Sequence, residues 1–187
     1  CARSVELVAR AQAEGLPVTA DVAVHHLHLT ENDLVGFDSR CHVRPPLRGV
    51  RDRDALRAGL ASGALSVLCS DHQPHEPDAK QAPFGDTEPG VSGLDTLLAL
   101  GLRLARDGLL PLPTLLERLT AGPARILGLD QGHLGIGAPA DLCVFEPDAD
   151  WLAAALRSRG QNSPFIGWEL PGRVTHTLLE GQIVYEA

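Results

Sequence analysis

Two short apolar runs, each closing on ionisable side chains, constrain this chain more than any other feature of its sequence. Leu16 to Val24 runs into His25, His26 and His28, and Ala64 to Cys69 runs into Ser70 and Asp71. Short apolar runs containing β-branched residues, bounded by Gly and polar residues, read as strands buried on both faces. The segment between them, Asp52 to Ala61, has helical spacing. Strand, helix, strand is the unit of a parallel sheet, and α/β enzymes collect their chemistry at the carboxyl ends of such strands.

The flanking segments extend this α/β reading. Val5, Leu7, Val8, Ala9, Ala11 and Ala13 form an apolar helical face that stops at Gly15, and Leu94 to Arg106 is a longer amphipathic helix. Thr114 to Thr120 follows, then a short helix from Pro123, where proline suits a first turn. Beyond Leu129 the texture changes: Gly132, Gly135 and Gly137 punctuate a turn-rich stretch. Leu142 to Phe145, Arg173 to Leu179 and Gln182 to Tyr185 read as strands, the last two joined at Glu180-Gly181 as a hairpin. The expected division is 1–129, helix-rich α/β, and 130–187, smaller and β-rich.

Charge and composition narrow the function. The formal net charge over 187 residues is −8 and no basic patch is concentrated anywhere, so a phosphate backbone finds no partner. Four Phe, two Trp and one Tyr leave little for a base-stacking platform. No apolar run approaches the ~20 residues of a membrane helix. Cys1, Cys41, Cys69 and Cys143 form no CxxC pair, and Cys69 and Cys143 sit in apolar runs as small hydrophobes, which fits a reducing, cytoplasmic setting. The chain contains no Met and begins with Cys1, so a piece of a longer protein, or a processed product, is expected.

Asp71-His72-Gln73-Pro74-His75 is the segment richest in chemistry. A carboxylate directly after a buried parallel strand can ligate a divalent metal or act as a base, and Pro74 stiffens the turn so that Asp71 and His75 share one rim. A polar loop with Asp71 capping a turn stands as an equal reading. His25, His26 and His28 invite zinc, but on an extended chain adjacent side chains face opposite ways, so a satisfied rim histidine with solvent-exposed neighbours is favoured. Cys41-His42 beside the double proline reads as a structural turn. Arg44 and Arg48 bracket Pro45-Pro46 and could offer guanidinium to an anion, or be surface arginines near Asp52 and Asp54. Glu88 to Gly93 precedes the helix, and Gly90 would allow backbone to approach a ligand there, although as an isolated pattern it is a loop.

Taken in order, these segments resemble the C-terminal half of a bacterial dihydroorotase of the long-chain type, in the amidohydrolase superfamily. The likeness runs through Val18-Thr-Ala-Asp-Val22, His25-His26-Leu27, Pro45-Pro46-Leu47-Arg48, Asp52-Arg53-Asp54 and Ser70-Asp-His-Gln-Pro-His75. It continues through Ala82-Pro-Phe84, Glu88-Pro-Gly-Val-Ser-Gly93, Gly122-Pro-Ala-Arg-Ile-Leu127, Gly137-Ala-Pro-Ala-Asp-Leu142 and Pro164-Phe-Ile-Gly-Trp168. The resemblance implies the C-terminal part of a (β/α)8 TIM barrel followed by a small β-rich region. It also implies reversible hydrolysis of a small cyclic amide, dihydroorotate, to carbamoyl aspartate by a zinc-activated hydroxide, with one or two zinc ions in the complete protein.

By the same resemblance Asp71 is metal ligand and proton shuttle, His75 contacts substrate, and the backbone of Pro89 and Gly90 contacts the ring. The family's metal-binding histidines and bridging ligand are expected in chain preceding Cys1, so these 187 residues alone are expected to be inactive. Lys80, the only lysine, does not match the bridging position. Arg44 stands where active members carry a substrate-binding asparagine. That departure keeps an alternative open: a catalytically silent homologue that assembles with aspartate transcarbamoylase.

Overall fold

A computed structural model describes all residues, 1–187. Helix α1 (Ala2–Ala13) ends at Glu14 and turns through Gly15, whose φ of 80° is the left-handed stop expected there. Strand β1 (Asp21–Ala23), helix α2 (Val50–Ser62) and strand β2 (Val67–Cys69) follow. The two strands are parallel, with Asp21 opposite Val67, Val22 opposite Leu68 and Ala23 opposite Cys69. Helix α1 lies along α2, so close that a Cβ on Gly59 would fall 2.8 Å from a Val5 methyl.

The ladder is shorter than the apolar runs suggest. Leu16 and Val18 are exposed, and their amides are spent locally, on Ala11 O at 3.0 Å and Leu16 O at 2.8 Å. Pro17 has no N–H to offer a neighbouring strand. At the other end Val24 already enters a 3-10 turn, Val24–Leu27. Hydrophobicity marked where a strand lies but neither its burial nor its extent: residues 16–19 and Asp21 are exposed, only Val22 and Val24 are buried, and backbone donors decide where pairing begins and ends.

Helix α3 (Leu97–Arg106) starts three residues after the expected Leu94. Its would-be first turn is committed elsewhere: Leu94 N donates to His72 Nδ1, and the Asp95 carboxylate accepts from the amides of Arg157 and Ser158. Its apolar face supplies Leu100 and Leu104 to the core, where Leu27, Leu60, Leu115, Phe165 and Leu170 are also fully buried. Phe165 meets Trp168 edge to face at 5.2 Å and His28 at 6.3 Å. Helices α4 (Leu112–Leu119) and α5 (Ala121–Leu127) complete the helical part, and α5 stops at Gly128.

Strands β3 (Leu142–Leu152), β4 (Glu169–Leu179) and β5 (Gln182–Glu186) form an antiparallel sheet in that order. Strand β3 runs past the expected Phe145 because register shifts after Val144 and Glu146 absorb Pro147 and its acidic neighbours. The β4–β5 hairpin is the one expected, with Glu180 at φ 50° and Gly181 at φ 80°. No helix is long and apolar enough to cross a membrane. All four cysteines are free, but the buried one is Cys41; Cys143 is exposed on outer strand β3 and Cys69 half-buried, contrary to expectation.

Candidate active-site rim

Asp71 leaves the end of β2 with φ 45°, a left-handed backbone that few residues other than glycine, asparagine and aspartate adopt. Strain of this kind gathers at functional positions. The carboxylate faces a cavity of about 650 Å³ lined also by Asp21, His26, Arg44, Pro45 and Cys69. Asp71 Oδ1 accepts from Gln73 Nε2 at 2.9 Å, which holds the side chain in one orientation. Across the strand pair, Cys69 Sγ donates to Asp21 Oδ2 at 3.1 Å.

The histidine cluster departs from the expected alternation. Because Val24–Leu27 is a 3-10 turn rather than extended chain, the rings of His25 and His26 lie 4.3 Å apart instead of on opposite faces. Only His26 reaches the cavity, its Nε2 donating to Pro45 O at 3.0 Å. Its neighbours are not solvent-exposed as expected. His25 is 1% exposed with neither ring nitrogen partnered, and burial, reinforced by His26, lowers its pKa to about 3. His28 donates from Nε2 to Leu100 O at 3.0 Å, and burial, then the charge of Arg57, lowers it to about 4. His42 serves the turn expected of it, donating from Nδ1 to Thr87 Oγ1 at 2.8 Å and stacking on Phe84.

Of the arginines near the double proline, Arg48 pairs with Asp52 at 3.6 Å and Arg53 with Asp54 at 2.9 Å. Arg44 makes no such pair; it is exposed and lines the cavity with Asp71. His75, Pro89 and Gly90 form a second group outside that cavity. His75 Nε2 donates to Pro89 O at 3.1 Å, and Gly90 N donates to His42 O at 2.8 Å. Gly90 has φ 139°, and a Cβ there would lie 2.5 Å from the Cβ of Gln73. Gln73 therefore joins the two groups: its side chain holds Asp71, its stem packs against Gly90, and its amide donates to Val91 O at 2.8 Å.

Sequence reasoning missed the residues that bind this rim together. His72 Nδ1 accepts from the amides of Gly93 and Leu94 at 3.1 and 3.3 Å, and Asn162 bonds to three main-chain points of the rim. The only trace of Asn162 in the sequence is its place just before Ser163-Pro164-Phe165. No group of three or more His, Cys, Asp or Glu side chains is arranged to hold a metal ion. Asp71, Asp21 and His26 all line the cavity, but they are not grouped so as to hold an ion between them. These residues by themselves do not compose a zinc centre.

A sequence model described as "Amidohydrolase family" matches residues 8–185. The chain belongs to the amidohydrolase family. Among its curated relatives, a dihydroorotase-like protein of Pseudomonas aeruginosa is 55% identical over 99% of this chain, and a dihydroorotase of Geobacter sp. strain M21 is 41% identical over 98%. This amidohydrolase chain spans about 44% of the length of either. Among solved structures, the L-hydantoinase of Arthrobacter aurescens superposes with a TM-score of 0.91 and 30% identity, over 99% of this chain and 43% of that one. The likeness bears out the amidohydrolase α/β fold expected from the sequence.

Proposed function

We propose that this chain is part of a cyclic amidohydrolase of the dihydroorotase type, interconverting dihydroorotate and N-carbamoyl-L-aspartate in the synthesis of pyrimidines within a reducing cytoplasm. The observation that carries the reading is Asp71, held in a left-handed backbone at the end of a parallel strand with its carboxylate on a cavity. In this reading Asp71 takes a proton from the attacking water and returns it to the ring nitrogen as the amide C–N bond breaks. His75, with Nε2 on Pro89 O, keeps Nδ1 free to accept from a substrate N–H. The Gly90 amide and carbonyl are both held within the protein, so in this reading the Pro89 carbonyl, half-buried and with a second lone pair beside its bond to His75, is the acceptor that contacts the ring and Gly90 shapes the turn that presents it. Zinc, one or two ions, would polarise the amide, with Asp71 among its ligands and the remainder supplied by the additional polypeptide that the relatives possess.

The test is Asp71→Asn in a polypeptide of the relatives' length, supplied with zinc and dihydroorotate. Asn keeps the volume and tolerates the left-handed backbone but accepts no proton, so kcat should fall by about 10²- to 10⁴-fold with the melting temperature nearly unchanged. Turnover close to that of the parent would remove Asp71 from the chemistry. The 187 residues alone should give none.

Arg44 favours a second reading. An unpaired cation on the cavity wall suits a silent homologue whose exterior docks aspartate transcarbamoylase while its own site is blocked.

A further inference from the structure

Asn162 is a buried amide, 6% exposed, on a segment remote in sequence from the rim it touches. Its Nδ2 donates to Gln73 O at 2.9 Å and to Gly90 O at 3.0 Å, while its Oδ1 accepts from the His75 amide at 2.8 Å. The orientation is unambiguous: two partners are carbonyls that only accept and the third is an N–H that only donates. The main chain of Asn162 adds a fourth tie, its carbonyl accepting from Ser92 N at 3.0 Å. The segment is seated with no room to spare, because a Cβ on Gly160 would fall 2.6 Å from Pro74 Cβ and 2.8 Å from His75 N.

We infer that Asn162 is a positioning residue that fixes the His75 turn against the Pro89–Gly90 turn, and thereby sets the span across which a cyclic amide is held. The substrate half of this inference rests on the function proposed above. His75 is pinned at its amide by Asn162 and at its ring by Pro89, so its free Nδ1 has one direction. Aspartate at 162 would bring an anion against two buried carbonyls and supply no donors, and alanine would leave all three groups unpaired. Asn162 reaches Asp71 only indirectly, through the main chain of Gln73, so the chemical step keeps its base and the main loss falls on the hold on substrate.

The experiment uses a polypeptide of the relatives' length with Asn162→Ala, Asn162→Asp and, as a control for general destabilisation, Leu115→Ala in the core of α4. Both Asn162 variants should raise KM for dihydroorotate by about 10-fold or more while kcat stays within a few-fold, and Leu115→Ala should lower the melting temperature with KM unmoved. Hydrogen exchange at the His75 amide should accelerate by about 10-fold or more in Asn162→Ala alone. Unchanged KM, or an equal rise in Leu115→Ala, overturns the positioning role. If the parent polypeptide hydrolyses no cyclic amide, the proposed function falls, and exchange at His75 then decides: acceleration upholds Asn162 as the tie between the two turns, and parent-like exchange overturns it.

Discussion

The rings of His25 and His26 lie with centroids 4.3 Å apart, and a proton on either raises the cost of one on the other. His25 is the more deeply enclosed, with its pKa lowered to about 3, and His28 is lowered to about 4 on the same segment. The folded state therefore keeps both neutral while the unfolded chain protonates them near 6.5.

Because the unfolded state binds the extra protons, stability is full above pH 6.5 and is lost as pH falls toward the folded values. Between pH 6.5 and 5, while most carboxylates remain ionised, each histidine should remove up to about 1.5 kcal/mol. Urea midpoints measured across this window should decline, and His25→Leu should flatten the decline. A level midpoint would show that these rings are hydrated in solution.

Gly90 and Gly108 separate backbone strain from collision. Both have positive φ, 139° and 76°, but a Cβ on Gly90 meets Gln73 at 2.5 Å while one on Gly108 meets nothing within 4 Å. Gly108→Ala should cost about 1 kcal/mol and Gly90→Ala distinctly more, about 3 kcal/mol. Equal losses in denaturant titrations would mean that the Gln73 contact gives way freely.

Arg44→Asn distinguishes the two functional readings. If Arg44 pairs with a substrate carboxylate, its loss should weaken binding by about 10- to 100-fold. Increased turnover would instead identify Arg44 as the obstruction in a silent site. A variant with both kinetic constants unmoved would place the guanidinium outside the site.

Cys41 is buried and burial pushes its thiol up to about 11, whereas Cys1 and Cys143 are exposed. At pH 8 only about one Cys41 thiol in a thousand is thiolate. Alkylation followed by peptide mass mapping should mark Cys1 and Cys143 well before Cys41. Labelling of Cys41 at the rate of Cys1 would show that the turn around it opens readily.

Much of the scaffold was legible because it depends on local pattern. The 3.6-residue spacing gave α2 and α3 to within a few residues, and Glu180-Gly181 gave a hairpin whose turn needs two left-handed residues. Strand limits were not legible, since apolar Leu16 and Val18 look buried until the Leu16 amide is seen to close the end of α1 and the Val18 amide to turn back on Leu16 O. In the site, Asp71 and Arg44 stood out by type and place. Gln73, His72 and Asn162 did not, because each acts through main-chain partners in another segment, and no local pattern records that Asn162 lies 72 residues from Gly90 and 87 from His75.

The backbone at Asp71 also bears on how such a protein can diverge. A left-handed position tolerates asparagine as readily as aspartate, and the codons for the two differ by one base. The carboxylate can thus be lost in one mutational step that leaves the scaffold unstrained, and restored in another. Gly90, hemmed in by Gln73, offers no comparable neutral step. If Asp71 is the base proposed above, selection on catalysis and selection on shape fall on different residues of one rim, and the carboxylate can be lost or regained without passing through an unfolded form.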